Sequence, residues 1–148
     1  MKLPTRRKED TSKKRLFKLP TFIMVLYPGW QLYRDITDPI SFFNNKKGII
    51  QVLTFTRDKE IELGATKPEE VLKKYIEKET KSEVKMKRFE KNDSTYVLSD
   101  YYKTKDKTMR AMFIENKKKA AFVTFAHETI PKDDEDIEKM LISFELGN

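Results

Sequence analysis

The chain of 148 residues has no cysteine and a single histidine, His127. Without a thiol, disulfide scaffolds, thiolate zinc sites, iron–sulfur clusters and cysteine nucleophiles are excluded. One imidazole also excludes any site that takes two from the same chain, such as the paired-histidine helix of metalloproteases. Glycine is scarce. Gly29, Gly48, Gly64 and Gly147 lie too far apart to build a phosphate-cradling loop. Long apolar runs are missing as well, since the most apolar stretch, TFIMVLY at 21–27, falls far short of the ~20 residues that span a bilayer. Neither the apolar core of a signal peptide nor a lipidation motif is visible, so a cytoplasmic location is expected.

Charged residues make up 37% of the chain and apolar ones 38%, with ten phenylalanines, six tyrosines and one tryptophan. Disordered chains are poor in aromatics, so this one is expected to fold. Its length suits one domain that buries roughly 68–70% of its unfolded surface without covalent staples.

The formal net charge is +7, but it is unevenly placed. Residues 1–18 hold eight basic side chains against Glu9 and Asp10, which leaves 23 basic and 22 acidic groups in the remainder. Residues 1–18 therefore read as a basic, flexible leader and 19–148 as a single, nearly neutral domain. Removing residues 1–16 should barely change stability, because the segment lacks apolar periodicity. Arg6, Arg7, Lys8, Lys13, Lys14 and Arg15 are its candidate anion-binding groups, for nucleic acid phosphates or an anionic surface.

The run TFIMVLY is β-rich and stops at Pro28-Gly29, a turn dipeptide, after which Trp30 and Leu32 suggest a short returning strand. Residues 35–45 read as a turn-rich stretch around Ile40, Phe42 and Phe43. GIIQVLTFT at 48–56 is apolar on both parities, the pattern of a strand covered on both faces. A loop over 57–65 leads to Thr66 and Glu69, spaced as a capping box, with Pro68 in the first turn of an amphipathic helix over about 67–80. Strands over about 84–90, 95–103, 108–115 and 119–127 are separated by short turns, as in an antiparallel meander, and the charge-rich 84–90 reads as its edge. A helix over about 132–144 closes the chain. Asp133 to Asp136 suit the positive end of its dipole, and Ile137, Met140, Leu141 and Phe144 mark its buried face. Phe122 and Phe144 are expected in the core. The implied class is α+β: a three-layer α/β/α sandwich, with an antiparallel sheet of about 6–7 strands flanked by helices on both faces.

The order of these elements is similar to that of a known superfamily. YPGW at 27–30, GIIQVLTF at 48–55, KPEEVLKKYI at 67–76 and MLISFEL at 140–146 together resemble the PsbP-like superfamily. That group includes the photosystem extrinsic protein, a Ran-binding nuclear import factor and small bacterial proteins, among them secretion-chaperone and lipoprotein kinds. The resemblance covers about residues 17–146. It implies a binding fold used mainly for protein partners, without catalytic residues to carry over. The lipoprotein cysteine of many bacterial members is absent here.

Direct signs of chemistry are few. His127 and Glu128 are neighbours near a strand end, and adjacent strand residues point to opposite faces, so His127 reads as structural. Ser41, Ser94, Ser99 and Ser143 lack the surroundings of a nucleophile. The run Asp133–Asp136 lacks the spacing of a calcium loop. Neither a cofactor, a metal nor an enzymatic activity is expected. The leading expectation is a non-catalytic interaction module with a protein partner, for which Trp30, Tyr33, Phe42 and Phe43 are the candidate contact residues. Nucleic-acid or anionic-surface binding through the leader is the alternative. A third idea is a small-ligand pocket lined by Phe42, Phe43 and Phe55.

Overall fold

The computed structural model describes residues 12–33, 39–56, 67–128 and 134–147. Expectations that fall on Arg6, Arg7, Lys8, the loop at 57–65, Thr66 and Asp133 lie outside the described residues. Among the described residues the strands are β1 (Arg15–Lys18), β2 (Phe22–Leu26), β3 (Gln31–Leu32), β4 (Ile40–Asn44), β5 (Gly48–Thr56), β6 (Met86–Lys91), β7 (Ser94–Ser99), β8 (Tyr102–Lys103), β9 (Thr108–Glu115), β10 (Lys119–His127) and β11 (Glu145–Leu146). Two helices join them, α1 (Pro68–Glu77) after β5 and α2 (Asp134–Ser143) after β10.

The strands form two antiparallel sheets. The main one runs β3-β4-β5-β10-β9-β7-β6, with β8 also on β9, and the small one runs β1-β2-β11. The meander and its charged edge strand β6 are as expected. Asn92 and Asp93 turn it from β6 to β7 with φ of 50° and 63°, the left-handed region that two-residue hairpins require. The expected sandwich is met in part. The sheet is antiparallel and each helix joins a different core, but the main sheet has eight strands and a second sheet exists beside it.

Alternation sorts the side chains between two cores. Ile50 and Val52 of β5, Ala121, Val123 and Phe125 of β10, and Met112 and Ile114 of β9 face one way. They meet Phe22, Met24 and Leu26 of β2, and Ile137, Met140, Leu141 and Phe144 at the chain's end. The opposite parity, Val97, Ala111, Phe113 and Ala120, meets Val71, Leu72 and Ile76 of α1. Phe144 stacks on Phe22 with ring centroids 5.2 Å apart. Phe122 is only half-buried, on the α1 side, where Tyr75 stacks on it at 4.3 Å.

Three expectations about local structure need correction. The leader does not extend to residue 18, because Arg15–Lys18 form β1 and pair with β2 in the register Arg15↔Leu26 to Lys18↔Ile23. Phe17 turns inward there, edge-on to Phe42 at 4.8 Å. The turn-rich stretch contains β4, which pairs with β5 from Ile40↔Val52 to Asn44↔Gly48. The returning strand β3 pairs with β4 and not with β2, so the Pro28-Gly29 turn carries the chain from the small sheet to the main one. Gly29 makes this possible with φ of 88°. At the start of α1, Lys67 occupies the N-cap position without a side-chain cap, while Pro68 fills the first turn.

Polar contacts fasten α2 and the chain that follows it to the main sheet. Arg110, buried on the α2 face of β9, donates to the Ser99 carbonyl at 2.7 Å and to Glu138 at 2.7 Å. Lys87 reaches the same carboxylate at 3.0 Å. Burial would raise the Glu138 pKa, but the hydrogen bonds from Lys87 and Arg110 outweigh it and hold the group below the ordinary carboxylate range. The buried Tyr96 hydroxyl donates to the Phe144 carbonyl at 2.5 Å. Ser143 Oγ donates to the Met140 carbonyl at 2.6 Å and accepts from the Val25 amide at 3.0 Å, which joins α2 to β2.

Candidate functional site: the open half of the main sheet

The two faces of the main sheet are covered unequally, and widths explain why. A helix is ~10–12 Å across and strands lie ~4.8 Å apart, so one helix shelters about two or three strands. On one face a three-stranded sheet and α2 lie side by side, enough for most of the sheet. On the other face α1 stands alone over β9, β7 and part of β10. Its cover ends at Phe122 and Phe55, whose rings stack at 5.8 Å. Beyond them the outward side chains Ile49, Gln51 and Leu53 of β5 are exposed, and those of β4 and β3 are half-buried.

That open area is mixed: the exposed Gln51 lies between Ile49 and Leu53 and donates to Ser41 Oγ at 3.3 Å, with apolar side chains on either side. Among the described residues the exposed large hydrophobics are Leu16, Tyr33, Ile49 and Leu53, and the last three share this face, at 41%, 43% and 41% exposure. The register brings them together. Phe43 pairs with both Ile49 and Gln31, and the Tyr33 amide donates to the Ser41 carbonyl at 2.8 Å. Leu53 continues the row opposite Phe122. The Tyr33 and Phe43 rings meet edge to face, 5.5 Å apart. Between them and Ile49, a shallow pocket of about 430 Å³ reaches Ala126, His127 and Lys107.

Local sequence shapes this corner. Asn44 Oδ1 accepts from the Lys46 amide at 2.9 Å and the Lys47 amide at 3.2 Å, closing the turn between β4 and β5. Gly48 then starts β5 at φ of 129°, and a Cβ there would collide with the Ala126 carbonyl oxygen. A glycine is therefore required at the floor of the pocket.

The four proposed contact residues divide evenly. Trp30 and Phe42 are fully buried, and Trp30 packs against Phe125 at 6.3 Å, so neither can meet a partner. Tyr33 and Phe43 remain at the surface. The reason is alternation: Phe42 and Phe43 are neighbours on one strand and must face opposite ways. The same rule dismantles the idea of a pocket lined by Phe42, Phe43 and Phe55, since Phe42 lies in one core and Phe55 packs against the other. Ile49 and Leu53, exposed on the same face, were not among the expected candidates. Their signal in the sequence is the two-sided apolarity of 48–56, which by itself does not tell cover within the chain from an open face.

In the leader, Lys13 and Lys14 are exposed, whereas Arg15 donates to the Trp30 carbonyl and is half-buried in β1. His127 is half-buried at the end of β10, opposite Thr108. In the acidic run, Glu135 pairs with Lys139 at 3.2 Å and Asp136 with Lys47 at 3.8 Å. Among the described residues no three His, Cys, Asp or Glu side chains gather where they could hold a metal ion, and no helix is long and apolar enough to cross a membrane.

An antiparallel main sheet between α1 on one side and α2 with the small sheet on the other places the chain in the class of PsbP-like α+β folds. The solution structure of cyanobacterial PsbP (CyanoP) from Synechocystis sp. PCC 6803 superposes with a TM-score of 0.65 at 9% identity, covering 97% of this chain and 98% of that one. A crystal structure from Bacteroides thetaiotaomicron VPI-5482 superposes at 0.51 and 15% identity, covering 93% of this chain and 49% of that one. At these identities the likeness is one of fold. No family model and no curated protein matches the sequence.

Proposed function

We propose that the chain is a non-catalytic accessory module that holds a protein partner against the open half of its main sheet. The observation that carries this reading is the exposure of Tyr33, Ile49 and Leu53 on one sheet face, the first two lining the pocket beside Phe43 and Leu53 lying farther along β5. Exposed aromatic and aliphatic side chains on fixed strands lose little entropy on contact, which suits them as anchors. The partner chemistry that fits is an apolar side chain entering the pocket between Tyr33, Phe43 and Ile49, with further apolar contacts along Leu53. The non-catalytic part rests on the lack of a thiol, the single imidazole and the structural work of the serines. Ser99 Oγ, for example, donates to the Asp100 carbonyl and accepts from the Ala111 amide. The PsbP-like fold supports an accessory role. The expected cytoplasmic location belongs to the same proposal.

The test immobilises the full chain beside an Ile49→Ser/Leu53→Ser variant and exposes both to lysate of the source cell. A protein held by the first and released by the second, at equal melting temperature, is the expected outcome. Identical retention on both would contradict the assignment of this face.

A further inference from the structure

A second apolar patch lies on the small sheet, apart from the open half of the main one. In the register of β1 and β2, Leu16 faces Val25 and Lys18 faces Ile23, so these four side chains share one surface, Leu16 and Lys18 exposed and Ile23 and Val25 half-buried. Phe17, Met24 and Leu26 share the other and belong to the core. Leu16 is 59% exposed, more than any of the other exposed large hydrophobics. Lys14 extends the row, with its ammonium 4.5 Å from the centre of the Tyr27 ring. Lys13, Lys14 and Lys18 are exposed, and neither β1 nor β2 contains an acidic residue. Glu145 of β11, opposite Ile23, puts one carboxylate on this surface, where it accepts from Asn92 at 2.7 Å. Earlier in the sequence Lys2, Arg6, Arg7 and Lys8 outnumber Glu9 and Asp10.

We propose that this face of the small sheet docks on the anionic surface of a lipid bilayer. Leu16 enters the headgroup layer with Ile23 and Val25 behind it, and Lys13, Lys14 and Lys18 meet lipid phosphates. The match is one of layered chemistry: the outer shell of an anionic bilayer is negative and the region beneath it apolar, the same pair the patch presents. Nucleic acid phosphates would satisfy the lysines but leave the exposed Leu16 side chain in water. An acidic peptide would satisfy that side chain no better, because its carboxylates have no use for the apolar centre. This surface is distinct from the one assigned to the protein partner, so either reading can fail without the other.

The experiment sediments the full chain with vesicles of phosphatidylcholine alone and of phosphatidylcholine mixed with phosphatidylglycerol. Binding is expected on the mixed vesicles only, weaker as salt is raised. A Lys14→Gln/Lys18→Gln variant should bind about thirtyfold more weakly, from roughly a fivefold loss per lysine. Leu16→Ser should bind about tenfold more weakly, since the buried leucine side chain is lost from the contact. Circular dichroism melts confirm that both variants fold. Equal binding to neutral vesicles, or wild-type binding by Leu16→Ser, would overturn the proposal. So would tighter retention on duplex DNA or polyglutamate than on the mixed vesicles.

Discussion

β5 and β10 are neighbours in the main sheet, nine residues each, paired from Lys119↔Thr56 to Ala126↔Ile49. Both are apolar on both parities. Yet β10 is buried on both faces over most of its length, and β5 on one face only. The difference arises from position and not from composition. β10 lies within reach of α1, whereas β5 lies just past its edge. Two-sided apolarity therefore says that a strand will be covered, without saying whether the cover comes from the same chain. Where the chain supplies none, the remaining apolar face is available to something else.

The comparison can be broken first on its covered side. Phe125→Ala in β10 and Phe144→Ala beyond α2 each remove a fully buried ring. Each should cost about 3–5 kcal/mol in urea titration. A native-like midpoint for either would mean that the core is misassigned.

The small sheet supplies the next test. Deleting residues 1–18 removes β1, with its four-residue pairing to β2 and the Phe17 ring against Phe42. A loss of more than about 2 kcal/mol is expected, well beyond the ±0.5 of ordinary surface changes. An unchanged titration would return β1 to the status of a flexible leader.

β1 also shows where sequence reading stops. RLFK has one inward aromatic and a basic residue on each side, so local pattern could not separate it from the charged leader before it. Its strand character comes from pairing with β2. β4 was obscured in the same way by the turn dipeptides around it, and it is set by its register with β5. Elements with strong local periodicity, α1, α2, β2, β5 and the meander, were legible within a few residues of their ends. The surface placement of Tyr33 and Phe43 was legible too, but not the burial of Trp30 and Phe42. Those burials depend on register, and the exposure of Ile49 and Leu53 depends on how far a helix reaches. Arg110 carried no signal of its buried pairing, which arises only when Glu138 arrives from 28 residues away.

That pairing predicts a pH effect smaller than the losses above. The Glu138 pKa is lower in the folded chain than in the unfolded one. Its contribution is therefore fully present above the unfolded value of about 4.3 and is lost as pH falls through the folded value. Glu138→Gln should flatten that part of the acid-side stability curve relative to the wild-type chain. Parallel curves through the acid range would show that Glu138 is not held in this way.

The smallest effect is expected on the open side of β5. Ile49→Ser and Leu53→Ser should each stay within about ±0.5 kcal/mol by urea titration, because their side chains already meet water. A loss of several kcal/mol would mean that this face is covered within the chain after all.

The absence of native cysteine makes a direct measurement possible, because any introduced thiol is the only one in the molecule. Ile49→Cys, Leu53→Cys and Val52→Cys variants place that thiol on opposite faces of the same strand. Under native conditions the first two should react with a thiol-specific reagent at close to the rate of a free thiol, and Val52→Cys only as fast as the protein unfolds. Equal protection at all three positions would contradict the account, since β5 would then be sealed on both faces like β10.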